Sequence, residues 1–184
     1  MNLQIIISGI GGQGVLFATK VLSQTALSKG FKMIGSETHG MAQRGGSVTS
    51  HLKIGDFLNP LIRTGTADII YAFDETEFLR ALPFIKEDGV CFVNSNAGDF
   101  LCTKIRQHLT KNNIEVSHLD ADKIALKLGM PLSVNLVLLG FSIASNRLPF
   151  SLTEMEQTIK KITPGRFLEM NFKAFRSGVA SWKG

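Results

Sequence analysis

The chain is poor in cysteine. Cys91 and Cys102 are the only two among 184 residues, and no Cys-x-x-Cys occurs. An iron–sulfur cluster or an all-cysteine zinc site needs four thiolates, so this chain cannot supply one alone. Both thiols are expected to be reduced and mostly buried, as in a cytosolic protein. Long apolar runs are also missing. The longest, Leu136–Phe141, falls far short of the roughly 20 residues that cross a bilayer, so no membrane span is expected. Met1 leads straight into a strand-like segment without a signal-peptide layout, and a cytoplasmic location is expected. Dense basic runs are missing as well. The net charge is +5, with seven basic and three acidic residues between Arg147 and Gly184. Only Lys160 and Lys161 are adjacent, without the interleaved aromatics of a nucleic-acid patch. No nucleic-acid partner is expected, and the basic face suits solvent or an acidic partner.

What is present fits an ordered globular chain, 44% hydrophobic and 19% charged, of a size for one domain over residues 1–184. Leu3–Ser8 is a short apolar run ending at glycine, as a buried strand would. Gln13–Lys29 carries Val15, Ala18, Leu22 and Ala26 at helical spacing, and Gly30 stops it. Phe31–Ile34 reads as a second strand. This strand–loop–helix–strand order predicts a βαβ unit with a parallel pair. Ser47–Ile54 alternates with period two. Asp68–Phe73, Gly89–Val93 and Ile114–Leu119 read as further strands, separated by helical stretches at Thr76–Ile85 and Phe100–Leu109. After Asp120 the pattern turns helical: Asp120–Leu128, Ser133–Asn146, Leu152–Ile162 and Phe172–Trp182. Ser133–Ala144 is apolar nearly all round and should be buried. Ser151 and Glu154 form a capping-box pattern. The fold class that follows is α/β: a Rossmann-like, mostly parallel sheet with helices on both faces and a helical C-terminal third.

Two glycine-rich segments carry the chemistry. Gly9, Gly11 and Gly14 match G-x-G-x-x-G between a strand and a helix, with Gly12 and Gln13 inside the motif. The pattern suits either an anion at a helix N-terminus or a tight turn without a ligand. The second segment, Ser36–Ser50, has almost no large aliphatic side chain and reads as a polar loop. Glu37 stands near the distance at which an acidic residue closes a second strand and holds ribose hydroxyls, or else it serves that loop. His39 is a candidate proton carrier and Arg44 a planar fork for carboxylate, phosphate or carbonyl. Gln43 donates and accepts at once, and Gly40, Gly45 and Gly46 shape the turn. The other reading is a loop that ties down its own backbone or a subunit contact. His51, His108 and His118 are expected to be solvated or capping. Asp74, Glu75 and Glu77 follow a strand end and suit a helix N-terminus; Asn94, Ser95 and Asn96 end the next strand at the same edge. From these residues alone, a free-standing nucleotide-binding reductase and a scaffold module both stay open.

GIGGQGV at Gly9–Val15, ETHGMAQRGGSV at Glu37–Val48 and SHLKIG at Ser50–Gly55 resemble the gamma-type domain of the 2-oxoacid:ferredoxin oxidoreductases, nearest to the indolepyruvate:ferredoxin oxidoreductase beta subunit. ADIIYAFDETE at Ala67–Glu77 and NLVLLG at Asn135–Gly140 extend the resemblance over nearly the whole chain. Lys53 fits the family's basic residue after the polar loop, and Asp74 stands where Glu is common. The resemblance implies a complex that oxidatively decarboxylates a 2-oxoacid to acyl-coenzyme A and passes electrons to ferredoxin. It implies thiamine diphosphate, Mg and 4Fe-4S clusters on a larger partner subunit. The thiamine pattern of Gly-Asp-Gly followed by asparagines is missing here, since Phe100 follows Gly98-Asp99. The chain is then a non-cofactor subunit, inactive alone, whose Gly9–Gly14 and Glu37–Gly46 loops bind a cofactor or face the catalytic subunit.

Overall fold

The computed structural model describes residues 1–40 and 45–183. The chain opens with strand β1 (Leu3–Ile10), helix α1 (Val15–Ser28), strand β2 (Met33–His39) and strand β3 (Ser47–Ile54). Strand β4 (Ala67–Ala72), helix α2 (Glu75–Ala81) and strand β5 (Ile85–Asn94) follow, then helix α3 (Thr103–Lys111) and strand β6 (Glu115–Leu119). Helices α4 (Ala121–Lys127), α5 (Val134–Ala144), α6 (Leu152–Ile162) and α7 (Gly165–Ala180) complete the chain.

The strands form one sheet in the order β2-β3-β1-β4-β5-β6. β3 runs antiparallel to both of its neighbours, and the β1–β4, β4–β5 and β5–β6 pairs are parallel. The mostly parallel sheet expected from the sequence is present. The expected β1–β2 pair is not. The two strands point the same way, but β3 lies between them, matching Glu37 to Ser50 on one side and Ile7 to Ser50 on the other. A short hairpin after β2 brings β3 back into that gap before any second crossover forms.

Alternation along the strands separates two cores. Ile5, Ile7, Ile69, Tyr71 and Phe92 face α1 and α5, whereas Ile6, Ile70, Ala72, Cys91 and Val93 face Phe78 of α2 and Leu109 of α3. Helices therefore cover both faces. α5 is buried from Val134 to Ile143, as a sequence polar only at Asn135 and Ser142 requires. It crosses α7 at backbone contact. A Cβ on Gly140 would lie 1.9 Å from the Phe175 carbonyl oxygen, and one on Gly178 would lie 1.9 Å from that of Val137. The Tyr71 hydroxyl lies 2.8 Å from Ser142 Oγ of α5, and burial raises its pKa well above the usual phenol range.

Several boundaries differ from expectation for identifiable reasons. α2 ends at Ala81, because Pro83 turns the chain into a 3₁₀ segment, Leu82–Phe84. α7 starts at Gly165 rather than Phe172, directly after Pro164. β2 runs to His39, through residues expected to form a loop; an edge strand with one open side needs no apolar run. Cys102 is exposed, since it is the N-cap of α3 and not inside it. His51 is buried, at 7% exposure. Its Nδ1 accepts a hydrogen bond from the Ile62 N–H at 3.1 Å, and its ring meets Phe84 edge-on.

Candidate functional site

The C-terminal ends of β1, β4 and β5 point to one edge of the sheet, and the loops that leave them are bound to each other. Gln13 is central. Its side-chain oxygen accepts from the Ile10 N–H at 2.7 Å, and its amide donates to the Phe73 carbonyl at 3.1 Å. Asn94 donates to the same carbonyl at 3.1 Å and to Asp122 at 2.6 Å, and it accepts from the Ala121 N–H at 2.9 Å. Ser95 donates to Glu75 at 2.7 Å. One amide from the glycine loop and one from the strand end thus converge on a single carbonyl at the β4 exit.

The glycine motif serves close packing at two of its positions. A Cβ at Gly9 would lie 2.9 Å from Val15 Cγ2 and 3.0 Å from Gln13 Oε1. Gly14, the N-cap of α1, has φ +80°, and a Cβ there would lie 2.1 Å from Asn135 Nδ2. Asn135 donates to the Gly14 carbonyl at 3.1 Å, so α5 holds the start of α1 by a buried amide. Gly12 adopts φ +110°, which a residue with a Cβ rarely takes. An apolar cavity of about 530 Å³ opens beside this helix start, between Phe17, Met130, Phe167 and Met170.

The second segment is a β-hairpin. β2 and β3 pair up to His39 and Val48, and Gly40 donates to the Ser47 carbonyl at 2.8 Å. Gln43 and Arg44 lie outside the described residues. Gly45 takes φ +76° at the hairpin end. The Gly11 N–H donates to the Gly46 carbonyl at 2.8 Å, so the Gly9–Gly14 loop and the hairpin meet directly. Ser47 donates to Glu77 at 2.5 Å, and Arg80 pairs with the other oxygen of Glu77 at 2.6 Å. Glu77 is only 3% exposed. Asp74 caps α2, accepting from the Thr76 and Glu77 N–H groups at 2.8 and 3.2 Å. The expected helix-start role of these carboxylates holds for Asp74, but Glu77 also anchors the hairpin.

Glu37 and His39 share the α1 face of β2 with Met33 and Gly35, by strand alternation. They are exposed and line a groove of about 730 Å³ between β2 and α1. The structure thus brings Gly11 to Gly46 and places Glu37 and His39 around the edge strand, on the α1 side. Reading the sequence missed Asn135 as a buttress and Ser50 as a buried hydroxyl. The signal for both was a polar residue interrupting an apolar pattern, in VNLVLL for one and in the Val48, Leu52, Ile54 stripe for the other.

Among the described residues, no three His, Cys, Asp or Glu side chains are grouped to hold a metal, and no helix is long and apolar enough to cross a membrane. The family model described as pyruvate ferredoxin/flavodoxin oxidoreductase matches residues 4–181. The indolepyruvate oxidoreductase subunit IorB of Methanothermobacter thermautotrophicus is 32% identical, over 98% of this chain and 98% of that protein. The pyruvate synthase subunit PorC of Methanothermobacter marburgensis is 30% identical over 98% of each. The gamma subunit of the keto/oxoacid ferredoxin oxidoreductase from Geobacter sulfurreducens superimposes with a TM-score of 0.76 at 25% identity, covering 97% of this chain and 96% of that one.

Proposed function

We propose that this chain, which belongs to the pyruvate ferredoxin/flavodoxin oxidoreductase family, is a subunit of a 2-oxoacid:ferredoxin oxidoreductase that acts on indolepyruvate or a related arylpyruvate. Full-length similarity to indolepyruvate oxidoreductase subunits, at 32% identity, carries the reading. In the overall reaction a 2-oxoacid loses carbon dioxide, its acyl group passes to coenzyme A, and two electrons leave for ferredoxin. Thiamine diphosphate with Mg supplies the carbanion chemistry and 4Fe-4S clusters carry the electrons, all on a larger partner subunit. Two cysteines support that division of labour, because one cluster needs four thiolates. The chain is then a single gamma-type domain over residues 1–184, working within a cytoplasmic complex.

In this reading the glycine loop and the Glu37–Gly46 hairpin form the face toward the catalytic subunit. The Gly11–Gly46 hydrogen bond supports it, since it makes one continuous surface of both segments. Gln13, Glu37, His39, Gly40, Gln43 and Arg44 act through that face.

Affinity purification of the tagged chain from its native host tests the assignment. A large thiamine- and cluster-containing chain should co-purify, and the complex should reduce ferredoxin with indolepyruvate and coenzyme A faster than with pyruvate. Purification without such a partner overturns the subunit reading; a preference for pyruvate overturns the substrate reading. Arg44→Ala in the complex tests the hairpin: lost turnover with intact assembly supports a role beyond docking, and failed assembly assigns it to docking alone.

A further inference from the structure

A cavity of about 430 Å³ lies at the far edge of the sheet from the glycine loop, lined by Gln4, Lys53 and the loop that follows β3. Gln4 opens β1 and Gly9 ends it, about 17 Å away at roughly 3.3 Å per residue. Lys53 is only 7% exposed. By strand alternation it faces away from Leu52 and Ile54. Its ammonium stands 5.1 Å from the centre of the Phe57 ring and has no hydrogen-bond or ion-pair partner among the described residues. Of the fully buried side-chain polar atoms described, only Ser50 Oγ lacks a partner. The Lys53 ammonium, equally unpartnered, is therefore not sealed: its stem is packed and its charge opens into the cavity. Taking a cation this far from water without an anion is costly, and an aromatic face offsets only part of that.

The loop is held in place around this charge. The Ile62 N–H donates to His51, the Leu61 N–H to Asn59 Oδ1 at 2.8 Å, and the Gln4 amide to the Thr66 carbonyl at 2.8 Å. The acids nearby are engaged elsewhere. Asp56, which also lines the cavity, pairs with Lys32 at 2.7 Å, and Asp68 pairs with Lys86 at 2.5 Å. Arg63 lines the cavity from an exposed position, and it too has no ion-pair partner among the described residues. The side-chain nitrogen of Asn59 is likewise uncommitted. Two cations and an amide thus share the space with Phe57, Leu58 and Leu61. Leu58 and Leu61 are exposed, so an apolar group seated there would take their surface out of water.

We propose that this cavity binds a small organic carboxylate with an apolar body. The Lys53 ammonium and the Arg63 guanidinium meet the carboxylate, Asn59 donates beside them, and Phe57, Leu58 and Leu61 cover the rest of the molecule. A bare inorganic anion would leave those apolar walls uncovered, and an amine would face two cations. The volume falls within the range of small-molecule sites, which are mostly apolar with a few placed polar groups. The site does not depend on the subunit reading. It shares no residue with the glycine loop or the hairpin, and it is measured on this chain by binding and not by turnover.

Titration of the full chain with phenylacetate, its neutral analogue phenylacetamide and inorganic phosphate, followed by amide chemical shifts, tests it. Phenylacetate is expected to bind, with phenylacetamide and phosphate weaker by about tenfold or more, the loss expected for a charge-assisted hydrogen bond. The shifts should move at Phe57–Arg63 and stay fixed at Gly9–Gly14. Lys53→Met keeps the packed stem without the charge, and phenylacetate should then bind no better than phenylacetamide. Thermal unfolding checks that this variant folds. Arg63→Gln, at an exposed position, keeps the fold in any case and should weaken phenylacetate several-fold. No phenylacetate binding in the millimolar range, equal binding of acid and amide, phosphate binding as tight as phenylacetate, shifts at the glycine loop in place of Phe57–Arg63, or unchanged affinity in both variants overturns the proposal.

Discussion

The side-chain amide of Asn135 in α5 ties the end of the glycine loop to the core. Asn135→Ala removes one of the two donors to the Gly14 carbonyl, which keeps the Ala18 N–H at 3.0 Å. A net intramolecular hydrogen bond contributes about 0.5–1.5 kcal/mol, so the denaturant midpoint should fall by a corresponding amount. Asn135→Asp should be no better, because a carboxylate cannot donate to a carbonyl. His51 makes a second residue-scale case. Burial and the neighbouring Lys53 hold its pKa below the usual imidazole value. Its neutral ring accepts the Ile62 N–H through Nδ1, which a protonated ring cannot do. The folded state therefore binds the proton less readily than the unfolded chain. The stabilisation is fully present above the unfolded pKa of about 6.5 and is lost as pH falls through the lower folded value. Urea denaturation from pH 7.5 down to pH 5 should show stability declining with acidity. His51→Gln, which offers an acceptor without titrating near neutrality, should flatten that slope. An equal slope in the variant would assign the pH dependence to other groups.

At the scale of elements, the α5–α7 crossing shows what packing demands of the sequence. Gly140 and Gly178 face each other's helix backbone at a distance that no side chain fits. Gly140→Ala must push the two helices apart, and overpacking of this kind costs about 1–3 kcal/mol or more. Thermal unfolding of Gly140→Ala is expected several degrees below the parent, whereas Ala at exposed Gly165, with open space around it, should leave the midpoint nearly unchanged. Elements of this kind were legible where burial dictates composition. β1, β4 and α5 are apolar because they are covered on every side, and the capping box before α6 announced itself in Ser151 and Glu154. The hairpin was not legible. The strand residues Ser36–His39 lie on the sheet edge, where polar side chains meet solvent, and their backbone bonds go to β3 whatever the side chains are. Local pattern also could not show that β3 inserts between β1 and β2, because that choice rests on a long-range pairing between Ile7 and Ser50. The same limit applied to the site. Gly9–Gly14 was visible as a motif, but its meeting with Gly46 depends on topology.

For the whole molecule, the C-terminal edge of the sheet is where the two halves of the chain are joined. α2 belongs to the second core and the hairpin to the edge strands. Glu77 connects them, accepting from Ser47 and pairing with Arg80 from a position only 3% exposed. The glycine loop reaches the same hairpin through Gly11 and Gly46. If that edge is the face presented to a catalytic subunit, its geometry depends on this anchor and not on the hairpin's own sequence. Glu77→Gln tests the dependence, since it keeps the shape but lowers the charge that binds Arg80. Amide hydrogen exchange should quicken locally at Ser47–Thr49 and Gly11, with the buried β4 and β5 amides unchanged, the pattern of local opening without global destabilisation. In the assembled complex the same variant should lower turnover while the subunits still co-purify, because the surface remains but is less well ordered. Uniform exchange changes across the sheet would instead make Glu77 a general stability residue. Unchanged exchange at Gly11 would mean that the glycine loop holds its position without the hairpin.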